Sequence, residues 1–245
     1  MTRASYWGIT LRRAALIAGF AYLLDPVSYA EFTLYPKLVI PGNIDQTVVN
    51  ITAHGGTFVA MTLCYFINFI EDIVVAWALS VLLAPVNRSL SLLAAWLRLI
   101  YAALALVGTL NLVTVYRVLN TPEYAAVFGP RALRAQVDLL LHSFRYEYAF
   151  VLIIFGIHLC LLGYLMFRSG YTGWISKVVG ILLVVPGIGW IVYELGPYLY
   201  PSANLDWLFY TFFGELIFML WLLIAGWRLK EPASIESVTL ISDSP

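Results

Sequence analysis

The chain alternates between long apolar runs and short polar breaks. Six runs approach the length of about 20 residues that an α-helix needs to cross a bilayer. They lie near residues 14–35, 61–84, 90–116, 146–167, 178–197 and 207–227. Proline and glycine mark most of the breaks, as at Pro85, Pro122 and Gly170. The pattern predicts an all-α polytopic membrane protein, a bundle of six transmembrane helices.

The composition agrees with this class. Hydrophobic residues make up 62% of the 245 residues and charged residues only 11%, with a mean hydropathy of +0.86. In soluble domains, about a quarter of the residues are charged. The formal net charge is zero, which argues against nucleic acid as a partner. The lipid bilayer is the expected partner. Cys64 and Cys160 lie within apolar runs, which is typical of small core residues and not of a disulfide framework.

Lysine and arginine near the ends of the runs predict the orientation, because cytoplasmic loops carry an excess of both. The short loops give the clearest bias, with Arg88 in one and Arg168 and Lys177 in another. Both termini are therefore predicted to be cytoplasmic, in a multi-pass protein of the cell (plasma or inner) membrane. Residues 1–230 are predicted to form a single six-helix domain, and the polar, serine-rich residues 231–245 a disordered tail.

Two predicted helices are longer than a bilayer requires. The second can begin as early as Ile51, and the fourth at Pro130, a favourable first position of a helix. Apolar residues recur at helical spacing from Pro130 up to Phe144. We expect both helices to project several turns beyond the membrane, or to bend along its outer surface, and to form an extracytoplasmic cap.

Ionisable residues interrupt the apolar runs at similar depths. At 1.5 Å per residue, Asp25 lies about 18 Å from the cytoplasmic end, Glu71 and Asp72 about 20 Å, and Arg98 about 14 Å. In a hydrocarbon core about 30 Å thick, five of the six helices place such a group near the midplane. These groups form a predicted polar layer, a candidate ligand- or ion-binding site of Asp25, Glu71, Asp72, Arg98, His158 and Glu215.

Two interpretations of the polar layer remain open. In one, Arg98 pairs with the acids, the other carboxylates stay protonated, and the network only fixes the register of the helices. In the other, the layer lines a site for a small ligand, a lipid-like amphiphile, an ion or a proton. Four carboxylates face only Arg98 and His158, an excess that a structural network does not need. The second interpretation is favoured, and with it a possible carrier.

The sequence lacks motifs that would name a reaction. His142 and His158 lie about 24 Å apart on one predicted helix, so they cannot ligate one haem together. No metal site is predicted, because no His-Glu-x-x-His or Glu-x-x-His pair occurs, and no nucleotide-binding loop or nucleophile elbow is present. Catalytic residues, cofactors and oligomeric partners stay unknown. An intramembrane enzyme acting on a lipid-like substrate through paired carboxylates, and a structural or accessory subunit, remain the alternatives.

One family resemblance covers most of the chain, roughly Arg12 to Arg228. The stretches HSFRYEYAFVLIIFGIHLCLLGYLMFRSGY and KVVGILLVVPGIGWIVY resemble the bacterial membrane family named domain of unknown function 4386. The same family is suggested by RRAALIAGFAYLL near the start and GELIFMLWLLIAGW near the end. The resemblance implies a prokaryotic multi-helix membrane protein, and it implies no catalytic residue, cofactor or ligand.

Overall fold

The computed structural model describes residues 8–229, and every regular element in that range is helical. The first part contains α1 (Leu11–Leu23), α2 (Val27–Tyr29), a π-helical segment (Ala30–Leu34), α3 (Tyr35–Leu38) and α4 (Ile44–Ala53). Four long helices follow: α5 (Gly55–Leu83), α6 (Arg88–Asn120), α7 (Pro122–Ser169) and α8 (Trp174–Leu199). The last elements are a 3-10 helix (Asp206–Phe212), α9 (Phe213–Ala225) and a second 3-10 helix (Gly226–Arg228). The predicted tail, residues 231–245, lies outside the described residues.

Five of the described helical stretches are long and apolar enough to cross a membrane. They are Gly55–Leu83, Arg88–Asn120, Pro122–Ser169, Trp174–Leu199 and Asp206–Arg228, and they overlap the second to sixth predicted spans. Large apolar side chains stay exposed on them, for example Val107 at 58% and Ile224 at 66%, as expected of positions that face lipid. The all-α, multi-pass class is confirmed. The count of six spans and the orientation of the termini stay predictions.

The first predicted span, residues 14–35, is not one continuous helix. α1 ends at Leu23 and is 13 residues long, or about 20 Å, which is short of a 30 Å hydrocarbon core. Pro26 explains the break, because proline lacks the amide hydrogen of a helical residue and disfavours the helical conformation of the residue before it. The chain then continues through α2 and the π-helical segment.

Of the two predicted helix extensions, that of the second predicted helix is interrupted and that of the fourth is continuous. The helix breaks at His54, so the predicted start at Ile51 falls within α4 and not within α5. In α7, Gly129 is non-helical, with φ 70° and ψ 166°, a conformation that is essentially reserved for glycine. Regular helix resumes at Pro130, as predicted. From there to Ser169 the helix extends about 60 Å at 1.5 Å per residue.

The chain folds into two compact units. The first unit contains the described residues up to Leu23, Val74–Arg98 and the described residues from Phe155 onward. The second unit contains Leu24–Ile73 and Leu99–Ile154. Its apolar core includes Phe58 and Met61 of α5, Leu112 of α6 and Phe144 of α7. The single six-helix domain over residues 1–230 stays a prediction.

In the first unit, glycine allows α7 and α8 to approach backbone to backbone. A Cβ atom built on Gly163 would lie 2.6 Å from the carbonyl oxygen of Gly180, and one built on Gly156 would lie 2.6 Å from that of Gly187. On each helix the two glycines are two turns apart, so both contacts lie along one line of an antiparallel pair. Close packing of small residues is a main source of helix association in membranes.

Candidate functional site

Asp25 lies at the break after α1, where it contacts two other segments of the second unit. Its Oδ1 accepts a hydrogen bond of 2.9 Å from the backbone N–H of Val27, the first residue of α2. This contact satisfies one of the amide groups that the start of a helix leaves exposed. The same oxygen accepts a hydrogen bond of 3.2 Å from Nδ2 of Asn68 on α5.

Asn68 connects Asp25 with a second predicted site residue. Its Nδ2 also donates to Oε2 of Glu71 over 3.1 Å, so one amide group serves two carboxylates. Asn68 and Glu71 lie on one face of α5 because they are three residues apart. Asn68, Glu71 and Asp72 are only 8%, 9% and 2% exposed. We call Asp25 and Glu71, which Asn68 bridges, the amide-bridged acids.

The second unit contains another polar group, which sequence reasoning missed. Nη1 of Arg145 donates to both carboxylate oxygens of Glu31, each over 2.8 Å. The hydroxyl of Tyr65 donates to Oε1 of Glu31 over 2.7 Å. The sequence carries a signal for this pair, since Glu31 lies near the end of the first predicted span and Arg145 precedes the fourth on the same predicted side. A search confined to the midplane excludes both residues.

Tyrosine hydroxyls lie near the acids of the second unit. Tyr148 is within electrostatic reach of Asp72, Glu31 and Asp25. Its hydroxyl oxygen lies 3.4 Å from that of Tyr101. A phenol can donate a hydrogen bond to a carboxylate without adding a charge, while its ring packs as an apolar group. The aromatic residues therefore suit a buried acidic site.

Arg98, in the first unit, lies against aromatic rings. It is 2% exposed, and its Nη1 donates a hydrogen bond to the hydroxyl of Tyr22. Its Cζ lies 4.8 Å from the centre of the Tyr22 ring and 5.5 Å from that of Phe155. Aromatic faces attract a cation, more strongly where water is excluded. The predicted pairing of Arg98 with an acid of the polar layer stays a prediction.

His158 is held in one tautomer beside the same Phe155. The residue is 1% exposed, and its Nδ1 lies 2.8 Å from the carbonyl oxygen of Ala94. Because a carbonyl oxygen can only accept, Nδ1 carries the hydrogen, and in the neutral imidazole Nε2 keeps its lone pair. Nε2 is buried, and no described residue forms a hydrogen bond with it. The imidazole of His158 therefore offers an acceptor in the interior of the first unit.

Three of the six predicted site residues belong to each unit. The second unit holds Asp25, Glu71 and Asp72, and the first unit holds Arg98, His158 and Glu215. Glu215 accepts a hydrogen bond of 2.9 Å from Nε1 of Trp190. The structure brings Asp25 and Glu71 to one amide, and it places Arg98 and His158 beside one aromatic ring. The single polar layer of six residues stays a prediction.

Comparison with known proteins identifies the family. The model of the family described as domain of unknown function (DUF4386) matches residues 17–226. The chain belongs to this family. The DUF4386 match spans all six predicted site residues, from Asp25 to Glu215, and confirms the resemblance noted in the sequence. An uncharacterized protein of Archaeoglobus fulgidus is 32% identical over 169 residues, which is 69% of this chain and 85% of that protein. No solved structure matches the chain.

Proposed function

We propose that this DUF4386 protein is a membrane carrier that binds a proton at the amide-bridged acids. The observation that carries the proposal is the pair of hydrogen bonds from one Asn68 nitrogen to the carboxylates of Asp25 and Glu71. Asn68 is a neutral donor, so it orients both carboxylates without cancelling either charge. The hydrogen bonds from Asn68 therefore leave the charges of both carboxylates in place, and a bound proton can remove one of them.

The repulsion between two ionised carboxylates in this position is large enough to favour the binding of a proton. Two acceptors of one amide nitrogen lie about 5–6 Å apart, given ordinary hydrogen-bond lengths and angles. Two unit charges at that distance repel by about 3 kcal/mol at an effective dielectric constant near 20. One bound proton removes this repulsion and also lowers the cost of keeping an acid among apolar helices.

The break beside Asp25 supports a carrier over a purely structural network. Irregular backbone at membrane depth is tolerated where it lies inside protein or lines a cavity. In transporters, interrupted helices supply the groups that bind substrates and coupling ions. Asp25 and Pro26 interrupt the first predicted span, and the acid at that break is one of the two that Asn68 bridges.

Infrared difference spectroscopy of the reconstituted protein tests the proton site directly. We expect an alkaline minus acidic difference spectrum to contain the C=O stretch of a buried carboxylic acid. Asp25→Asn or Glu71→Gln should remove or shift this band, because each variant leaves a single carboxylate beside Asn68. Glu123→Gln is the matched control, since Glu123 is an exposed acid of the same unit. If neither site variant changes the band, or if Glu123→Gln changes it equally, the amide-bridged acids are only a structural link.

The proposed carrier has six spans with cytoplasmic termini in the plasma membrane. Single cysteines at Asn87, Thr172 and Asn204 would test this topology after Cys64 and Cys160, both free thiols, are replaced by alanine. We expect a membrane-impermeant reagent to label positions 87 and 172 from the cytoplasm and position 204 from outside. Labelling of positions 87 and 204 from the same side would contradict the six-span topology.

A further inference from the structure

A small cavity of the second unit lies at the C-terminal end of α6 and the beginning of α7. Its volume is about 210 Å³, and its lining residues are Thr114, Arg117, Val118, Tyr124, Phe128 and Gln136. None of them belongs to the amide-bridged acids. The cavity is therefore a separate feature, and its chemistry does not depend on the proposed proton site.

The backbone at Gly129 shapes this cavity. Its φ of 70° and ψ of 166° turn the short helical stretch that carries Tyr124 and Phe128 relative to the rest of α7. The two rings are stacked, with centres 6.1 Å apart and planes inclined by 29°. Val118, a member of the buried core cluster, lines the cavity as well. The cavity thus has an apolar, partly aromatic wall.

Two polar groups of the lining lack partners among the residues that the structure describes. Oε1 of Gln136 is buried and accepts no hydrogen bond from any of them. The guanidinium of Arg117 forms no ion pair or hydrogen bond within residues 8–229. By contrast, the hydroxyl of Thr114 already donates to the carbonyl of Leu110 over 3.0 Å. A buried acceptor without a donor is rare and destabilising in native proteins, and a water or ligand molecule that donates a hydrogen bond can supply the missing partner.

We propose that this cavity binds a small carboxylate that also carries an N–H or O–H donor, such as an amino acid with an apolar side chain. Arg117 is the only cation of the six lining residues, and a guanidinium is the side chain best suited to a carboxylate. The donor of the ligand meets Oε1 of Gln136, and its apolar part packs against Val118, Tyr124 and Phe128. A volume of 210 Å³ equals about seven water molecules, which suits a ligand of this size class.

Calorimetric titration of the wild-type protein in detergent tests the ligand class with three related probes. L-Leucine has both polar groups, isocaproate lacks the amine, and isoamylamine lacks the carboxylate. We expect leucine to bind, isocaproate to bind on the order of tenfold more weakly, and isoamylamine not to bind. Absence of leucine binding overturns the proposal and indicates a water-filled cavity. Equal affinity for leucine and isocaproate overturns the role of Gln136.

Two variants assign the binding to this cavity. Arg117→Gln should weaken leucine binding by about tenfold to a hundredfold, the loss expected for a hydrogen bond between charged groups. Arg131→Gln is the matched control, because Arg131 is an exposed arginine near the cavity in sequence but absent from its lining. Equal weakening by both variants would show a general charge effect and refute the site.

Gln136→Leu provides a readout that does not depend on Arg117. It removes the buried oxygen, so the ligand-free protein should unfold at a temperature equal to or above that of the wild type. The same variant should bind leucine no better than isocaproate. If Gln136→Leu is folded and still prefers leucine to isocaproate, Oε1 of Gln136 does not contact the amine and the proposal fails.

Discussion

Replacing Gly163 by alanine adds one methyl group between α7 and α8. The added Cβ would lie 2.6 Å from the carbonyl oxygen of Gly180 and 2.8 Å from a methyl carbon of Val184. Cβ atoms in real structures essentially never approach another atom closer than 3.0 Å. The side chain of Val184 can rotate, but the Gly180 oxygen belongs to a helix backbone. The two helices must therefore move apart.

The cost can be estimated from the contacts that separation weakens. A gap of about 0.5–1 Å removes roughly a quarter to a half of the dispersion energy of each contact along the interface. Overpacking of this kind costs about 1–3 kcal/mol. Alanine favours helix over glycine by up to about 1 kcal/mol, which offsets part of the loss. We therefore expect Gly163→Ala to lower the free energy of unfolding by about 1–2 kcal/mol.

Thermal unfolding in detergent, followed by intrinsic fluorescence, measures this effect. For a chain of this size, 1–2 kcal/mol corresponds to a midpoint lower by about 2–8 °C. Gly56→Ala is the matched control, because Gly56 also lies within a helix, α5, and a Cβ there would meet no atom within 4 Å. The control should raise the midpoint slightly, since only the helix-propensity gain remains.

Gly163→Ala should lower the unfolding midpoint, whereas Gly56→Ala should raise it. If Gly163→Ala unfolds at or above the wild-type temperature, α7 and α8 do not make the close backbone contact at this position. Gly163→Ala combined with Gly180→Ala provides a second check. The two residues share one contact, so their effects should not add, unlike those of distant substitutions.

Three further predictions concern charged residues and one strained backbone position. Arg145→Leu should lower the free energy of unfolding by about 1–2 kcal/mol, because it leaves the carboxylate of Glu31 without its partly buried ion pair. The control Arg131→Leu, at an exposed site, should change the free energy of unfolding by less than about 0.5 kcal/mol. Gly129→Ala should lower the free energy of unfolding by about 1–3 kcal/mol, since the φ and ψ of this position suit only glycine. It should also weaken leucine binding by displacing Tyr124. Unchanged stability and binding would contradict the role of Gly129 in shaping the cavity. Arg98→Leu should cost about 3–5 kcal/mol if it breaks a buried ion pair. Much of that loss should be recovered in one double variant with Asp25→Asn, Glu71→Gln, Asp72→Asn or Glu215→Gln, and recovery in none of them would refute a paired Arg98.

The long helices could be predicted from the sequence because their apolar runs are long and punctuated. Pro130 even marks the point where regular α7 begins. The break at Asp25 and Pro26 was missed because hydropathy, summed over about 20 residues, does not respond to one proline. The π-helical turn at Ala30–Leu34 has no sequence pattern of its own, since its hydrogen bonds depend on how the chain recovers after the break.

The candidate site could be predicted only in part, for a related reason. Spacing along α5 predicts that Asn68 and Glu71 share a face, because contacts three residues apart are local. The hydrogen bond from Asn68 to Asp25 spans 43 residues, and that from Arg145 to Glu31 spans 114. Such contacts depend on the tertiary arrangement of helices, which a single sequence does not specify. Depth along a helix can suggest candidates, but it cannot pair them.

The glycine contacts between α7 and α8 also have a consequence for biogenesis. The two helices are joined by a short turn in which Gly170 and Gly173 have positive φ values of 63° and 64°. Closing so short a loop costs little chain entropy, and a glycine interface loses no side-chain rotamers when it forms. We expect α7 and α8 to assemble as a hairpin during or soon after insertion, before contacts between distant parts of the chain are made. This hairpin would then be a template on which the remaining helices are ordered.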